Sequence, residues 1–179
     1  MRKIISLFTR NHETDHLVRN EIVPGAEWVI AREGIATRKW DGTCCMIRNG
    51  ILYKRYDAKK WKTPPIDFEP SQDPDPMTGH WPGWLPVGDG PEDKYHREAS
   101  RRDLQDGTFE LVGPKINGNP EKLANHVLIQ HGVDMLIDAP RDFDGLKEWL
   151  KKADLEGIVW HHPDGRMVKI KKKDFGLKR

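Results

Sequence analysis

Read as apolar against polar positions, the clearest pattern in the chain is a pair of β-prone runs on either side of Asn49-Gly50. The stretch from Thr43 to Asp57, TCCMIRNGILYKRYD, has the turn pair that a two-residue type I′ hairpin favours. A second pair, GIVWHH and RMVKIKK, flanks Asp164-Gly165 and reads the same way. TFELVGP and HVLIQH read as further strands, and EWVIA (Glu27 to Ala31) as another, punctuated by Gly34. Helical spacing is confined to two places. Phe143, Leu146, Trp149 and Leu150 fall on one face of a helix that Asp142 caps, with Trp149 assigned to the core. A second helix is predicted from about Asp93 to Leu104, ending near Gly107. No period is legible from Thr63 to Pro91, a run rich in Pro, Gly and Asp that also carries Trp81 and Trp84. This stretch is predicted to be a long, partly packed functional loop. Strands outnumber helices and follow one another through hairpins, so the expected fold is antiparallel α+β, a single domain over residues 1–179.

Composition agrees with a folded domain: 36% of the 179 residues are apolar and 32% charged. The net charge of +2 does not itself mark a nucleic-acid binder, although the C-terminal run from Lys169, KIKKKDFGLKR, is strongly basic. No apolar run is long enough to cross a membrane, and the N-terminal MRKIISLFTRNHE does not read as a secretory signal. The two cysteines, Cys44 and Cys45, are neighbours that an unstrained disulfide does not join, so a reducing, cytoplasmic setting is expected.

Three candidate sites carry little. His12-Glu13-Thr14-Asp15-His16 satisfies the zinc-protease spacing H-E-x-x-H, but that chemistry needs a helix with a buried apolar face, and polar residues surround it. It is read instead as a polar N-terminal helix. Cys44-Cys45 and His161-His162 are poor metal pairs, because consecutive strand residues point to opposite faces. Gly88-Asp89-Gly90 lacks the strand-loop-helix setting of a phosphate cradle and is read as a turn.

Four short stretches carry more when taken together: Lys39-Trp40-Asp41-Gly42, Phe109-Glu110-Leu111-Val112-Gly113, Glu156-Gly157-Ile158-Val159 and Lys169-Ile170-Lys171. Each lies in or at the end of a predicted strand. In this order they resemble the nucleotidyl motifs of the covalent nucleotidyltransferase superfamily of polynucleotide ligases and mRNA capping enzymes. The longer runs EWVIAREGIATRKWDGTCCMIRNG, HWPGWLPVGDGPEDKYHREA and FELVGPKINGNPE are similar to the compact ATP-dependent RNA ligase family that includes the vertebrate 5′-3′ RNA ligase. That resemblance runs from about Val23 onward.

The resemblance implies an antiparallel-sheet nucleotidyltransferase domain, an ATP-grasp-like ligase adenylation fold. Eight residues follow Lys171, too few for the C-terminal OB-fold that many members carry, so none is expected. It further implies an ATP-dependent ligase that joins an RNA 5′-phosphate to a 3′-hydroxyl. Lys39 matches the nucleophile that becomes lysyl-AMP, in the Asp41-Gly42 motif. Attack requires a neutral amine, which burial and neighbouring cations favour. Lys169 and Lys171 match lysines that contact the α-phosphate, and their alternate spacing gives them one face of a strand. Glu110 matches the carboxylate that binds the ribose hydroxyls, with Phe109 expected beside the base. Ile158 or Val159 is expected on the purine face. Glu156 matches the carboxylate that organises Mg²⁺ (or Mn²⁺), an ion that prefers oxygen donors, with Glu110 as a second candidate. Arg55 is matched to the ribose or the terminal phosphate of the RNA. Lys59 and Lys60, with Lys54 and Lys62, are candidates for the RNA backbone, and the loop from 63 to 91 for a clamp. One departure stands out: Cys44 occupies the place of the arginine in the K-x-D-G-x-R of many DNA ligases. A nick-sealing DNA ligase, another polynucleotide-end nucleotidyltransferase and a catalytically silent nucleotide- or RNA-binding module are the alternatives.

Overall fold

The computed structural model describes residues 3–179 and divides them into two compact units. The mixed unit comprises Ile4–Trp40 and Gly132–Arg179; the strand-rich unit comprises Asp41–His131 and Lys3. In chain order the elements begin with β1 (Ile5–Ser6), β2 (Phe8–Arg10), β3 (Val18–Ile22), α1 (Glu27–Ile30) and β4 (Ile35–Lys39). The strand-rich unit then supplies β5 (Thr43–Arg48), β6 (Ile51–Lys59), β7 (Glu69–Pro70), β8 (His80–Pro86), α2 (Lys94–Ala99), β9 (Gly107–Val112) and β10 (Val127–Gln130). Then come α3 (Phe143–Lys152), β11 (Gly157–His161) and β12 (Met167–Lys171), back in the mixed unit.

The mixed unit is built on a sheet of order β1-β12-β11-β4, antiparallel except for β1 against β12. The register of β11 decides what each face carries. Ile158 lies between Arg38 and Ile170, and Trp160 between Ala36 and Val168. The strand period of two puts Ala36, Ile158, Trp160, Val168 and Ile170 on one face, buried with Phe8, Leu146 and Leu150. Complete burial of an aliphatic side chain stabilises by about 1.5–3 kcal/mol, so this core is the unit's main cohesive term. Helix α3 covers it as the apolar spacing predicted, and the Asp142 carboxylate accepts the Gly145 N–H at 2.8 Å as its cap. Phe143 meets Phe8 and Phe175 edge to face, with centroids 5.0 and 5.1 Å apart.

The strand-rich unit is a sheet of order β10-β9-β5-β6-β8-β7, all antiparallel. Asn49 and Gly50 take φ of 52° and 71°, the left-handed backbone that the type I′ turn requires. Cys45, Ile47, Phe109, Leu111 and Leu128 fill a second core against Ala99 of α2. Burial pushes the Cys45 thiol far above its ordinary pKa, so it is an inert apolar filler.

Four sequence expectations change. EWVIA is helical: Ala31 N–H bonds Glu27 C=O at 3.0 Å, and the Glu27 carboxylate accepts the Gly25 N–H at 2.8 Å. A short apolar run does not by itself distinguish strand from helix. His12 to His16 is the turn that joins β2 and β3, not a helix. There the Asn11 side chain accepts the N–H groups of Glu13 and Thr14, and Asp15 that of Leu17, so side chains replace helical carbonyls as acceptors. The stretch from 63 to 91 contains β8, which pairs with β6 over seven positions. Its Pro82 and Pro86 lie outside the two pairs formed with β7, where no ladder N–H is demanded of them. The second helix stops at Ala99, because Ser100 is already extended.

Candidate active site

The face of the mixed unit's sheet opposite its core carries the lysines. Gly157 is register partner to Lys39 on β4 and to Lys171 on β12, so the three form one row across three strands. The next row on the same face is Thr37, Val159, Lys169 and Ser6. Thr37 holds the strands together there, its hydroxyl donating to Val159 C=O at 3.1 Å. A Cβ at Gly157 would lie 2.1 Å from the Ile170 carbonyl oxygen and 2.8 Å from Lys171 Cα. Only glycine fits there, against the main chain of β12.

Lys39 Nζ is 2.5 Å from a Glu156 carboxylate oxygen, with both side chains about one-fifth exposed. Sequence reasoning expected burial and neighbouring cations around this lysine, and the structure adds this carboxylate. The Lys39 main chain is fixed from both sides. Arg38 N–H donates to Asp134 C=O at 2.8 Å, and Trp40 Nε1 donates to the Asp134 carboxylate at 2.7 Å. The Arg38 guanidinium lies 4.1 Å over the Trp40 ring. At the other end of the row, burial pushes Lys171 down to about 8, aided by Lys173 and Lys169 and opposed by Asp174.

In the strand-rich unit the face opposite its own core carries a second set. Cys44 pairs with Glu110, and Arg55 follows in register beyond the Cys45–Lys54 pair. Arg55 lies 5.1 Å over the ring of its partner Trp84, and burial pulls its guanidinium below the ordinary range. Glu110 is nearly buried; one oxygen accepts the Gly42 N–H at 3.2 Å and the other meets His131 Nε2 at 2.9 Å. A Cβ at Gly42 would lie 2.1 Å from Leu111 O and 2.8 Å from Glu110 Cγ, which is why the D-G pair requires its glycine. Asp41 is braced by Asn117 Nδ2, and its N–H donates to Glu121 at 3.0 Å.

Two expected site residues are core residues. Phe109 is 2% exposed and points away from Glu110 into the second core, since neighbours on a strand face opposite ways. Ile158 is fully buried for the same reason, leaving Val159 on the lysine face. Lys54 is also withdrawn from the surface set, held 2.5 Å from the buried Asp93. Lys59 meets the His80 ring at 2.9 Å, and Lys60 is exposed. Sequence reasoning missed Gly157 as a spacer, Trp84 beneath Arg55, and His131 beside Glu110. Trp84 and His131 depend on register, which no local signal announces.

The sequence model of the family described as "RNA ligase 1" matches residues 97–179, a stretch that contains Glu110, Glu156, Lys169 and Lys171. Curated proteins named "RNA ligase 1" align as well. That of Danio rerio is 28% identical over 219 residues, covering 80% of this chain and 67% of its own length. Those of Mus musculus and Pongo abelii are also 28% identical, over 220 and 221 residues, with the same coverage.

Proposed function

The chain is related to the RNA ligase 1 family, and on that premise we propose that it is an ATP-dependent RNA ligase working through a lysyl-AMP intermediate. The observation that carries the proposal is the row Lys39–Gly157–Lys171, with Lys169 one row on and Glu156 beside Lys39. On this reading Lys39 is the nucleophile, Glu156 its proton acceptor, and Lys169 and Lys171 the cations that meet the phosphates.

In the first step Lys39 Nζ gives its proton to Glu156 and attacks the α-phosphorus of ATP. A P–N bond forms, the bond to the bridging oxygen breaks, and pyrophosphate leaves. Lys169 and Lys171 neutralise charge on the phosphates as it shifts toward the leaving group. AMP then passes to an RNA 5′-phosphate, and a 3′-hydroxyl displaces it as the strands are sealed. Glu110 is assigned to the ribose, Val159 to the base, and Arg55, Lys59 and Lys60 to the RNA, on the resemblance. Glu156 is an oxygen donor fit to hold Mg²⁺ or Mn²⁺, and the ion would supply charge neutralisation at the phosphates.

Sealing of matched nicked duplexes tests the reading. RNA-ended nicks should be closed in the presence of ATP, with DNA-only nicks closed much more slowly. Preferential closure of DNA nicks would favour the DNA ligase alternative. Among the described residues no helix is long and apolar enough to cross a membrane.

The state of Lys171 gives a pH test. Its pKa of about 8 lies below the ordinary lysine value of 10.5. The cation that faces phosphate is therefore lost as pH rises through 8. ATP affinity is expected to fall about tenfold over that interval. Lys171→Arg stays charged and should lack the step. Folding stability moves the other way, because the unfolded chain binds more protons between pH 8 and 10.5, so stability from this group rises with pH. Destabilisation by this group cannot then account for the loss. Wild-type affinity flat from pH 7 to 9.5 would remove Lys171 from the phosphate site.

A further inference from the structure

Cys44, Glu110 and His131 present one donor atom each, all within 4.8 Å of one another, on one face of the strand-rich unit. Strand register sets this convergence. Cys44 and Glu110 are direct cross-strand partners, and His131 is tied to β9 by its N–H, which donates to Thr108 C=O at 3.0 Å. The opposite face is filled by Cys45, Phe109 and Leu111, so the three side chains have a rigid floor beneath them.

From this geometry we propose that Cys44 Sγ, Glu110 and His131 Nε2 bind one zinc ion, with solvent or a substrate atom as the fourth ligand. A thiolate, a carboxylate and a neutral imidazole are a zinc donor set with a charge of −2, and sulfur and nitrogen select against magnesium. The surroundings fit that state. His131 Nδ1 lies 3.1 Å from Thr108 Oγ1, so an Nδ1–H donated there leaves the Nε2 lone pair facing the donors. Without an ion, the 2.9 Å contact between Nε2 and the Glu110 oxygen needs one proton shared between them. Zinc replaces that proton and the thiol proton, and both leave to solvent. The Arg55 guanidinium and Cys44 interact electrostatically. The inference shares Glu110 with the ligase reading, but its donor atoms all belong to one unit and its cobalt readout does not depend on ligase activity.

Titration of the intact, metal-free chain with Co²⁺ tests it. One equivalent should give visible ligand-field bands of a tetrahedral ion together with a near-ultraviolet thiolate charge-transfer band. Stoichiometric Zn²⁺ should erase both, while millimolar Mg²⁺ leaves them. Cys44→Ser should lose the charge-transfer band, and Thr108→Val should weaken zinc affinity about 10–100-fold by freeing the imidazole. Near-ultraviolet circular dichroism establishes that each variant is folded. Absence of the bands in the folded wild type overturns the proposal. So does a charge-transfer band that persists in Cys44→Ser, or displacement of cobalt by Mg²⁺.

Discussion

Lys39→Ala is expected to abolish covalent labelling by [α-³²P]ATP, a loss of roughly 10⁴-fold or more in adenylate transfer, with thermal stability nearly unchanged. The size of the effect follows from the position. Lys39 is the register partner of Gly157, and its Nζ has a carboxylate oxygen 2.5 Å away. Lys171 lies on the far side of Gly157, and Lys169 occupies the next row beside Val159. Stability should change little, because Lys39 is on the face opposite the core and its backbone is fixed by neighbours that alanine leaves in place. Its ion pair with Glu156 is partly exposed, and such pairs contribute about 0–1 kcal/mol. Undiminished labelling would place the nucleophile elsewhere.

Gly157→Ala is the second large effect, and it acts on packing and chemistry together. The added methyl would sit 2.1 Å from the Ile170 carbonyl oxygen, which is main chain and has no rotamer to escape into. β11 and β12 must separate locally, at a cost of about 1–3 kcal/mol, the usual range for an overpacked site. The same shift moves Lys171 relative to Lys39, the two amines that Gly157 separates. Misplacement of a charged group by about 1 Å can cost about 100-fold in rate. The variant should therefore lose adenylate transfer by more than its fall in melting temperature accounts for at the assay temperature. A variant that is less stable yet labels at the wild-type rate would show that the row is structural only.

How far the sequence carried depended on whether the signal was local. The hairpin at Asn49-Gly50 and the α3 helix were legible because turn chemistry, capping and period act over a few residues. β8 was not, because Pro82, Gly83 and Pro86 obscure a strand whose pairing is supplied by β6. The H-E-x-x-H spacing misled for the opposite reason. The pattern is present, but Asn11 and Asp15 give the backbone a turn in place of a helix.

Within the site, the motifs do not state which face of its strand each residue takes. Phe109 and Glu110 are adjacent, as are Ile158 and Val159, and a strand sends each pair in opposite directions. Which member meets the core depends on what packs against the sheet, and a motif does not state that. The strongly polar Glu110 was the better guide to the open face, with Phe109 the natural core member. His131 was out of reach, since only the pairing of β9 with β10 brings it to Glu110. The contact of Glu156 with Lys39 likewise follows from the pairing of β11 with β4, which the motif does not state.

The most direct test of the central claim is the intact mass of the purified chain after incubation with ATP and Mg²⁺, followed by peptide mapping. The account predicts a species heavier by one adenylate, with the added mass on the peptide that contains Lys39, and its disappearance on addition of pyrophosphate. No adenylate under those conditions, or adenylate on another residue, would contradict it.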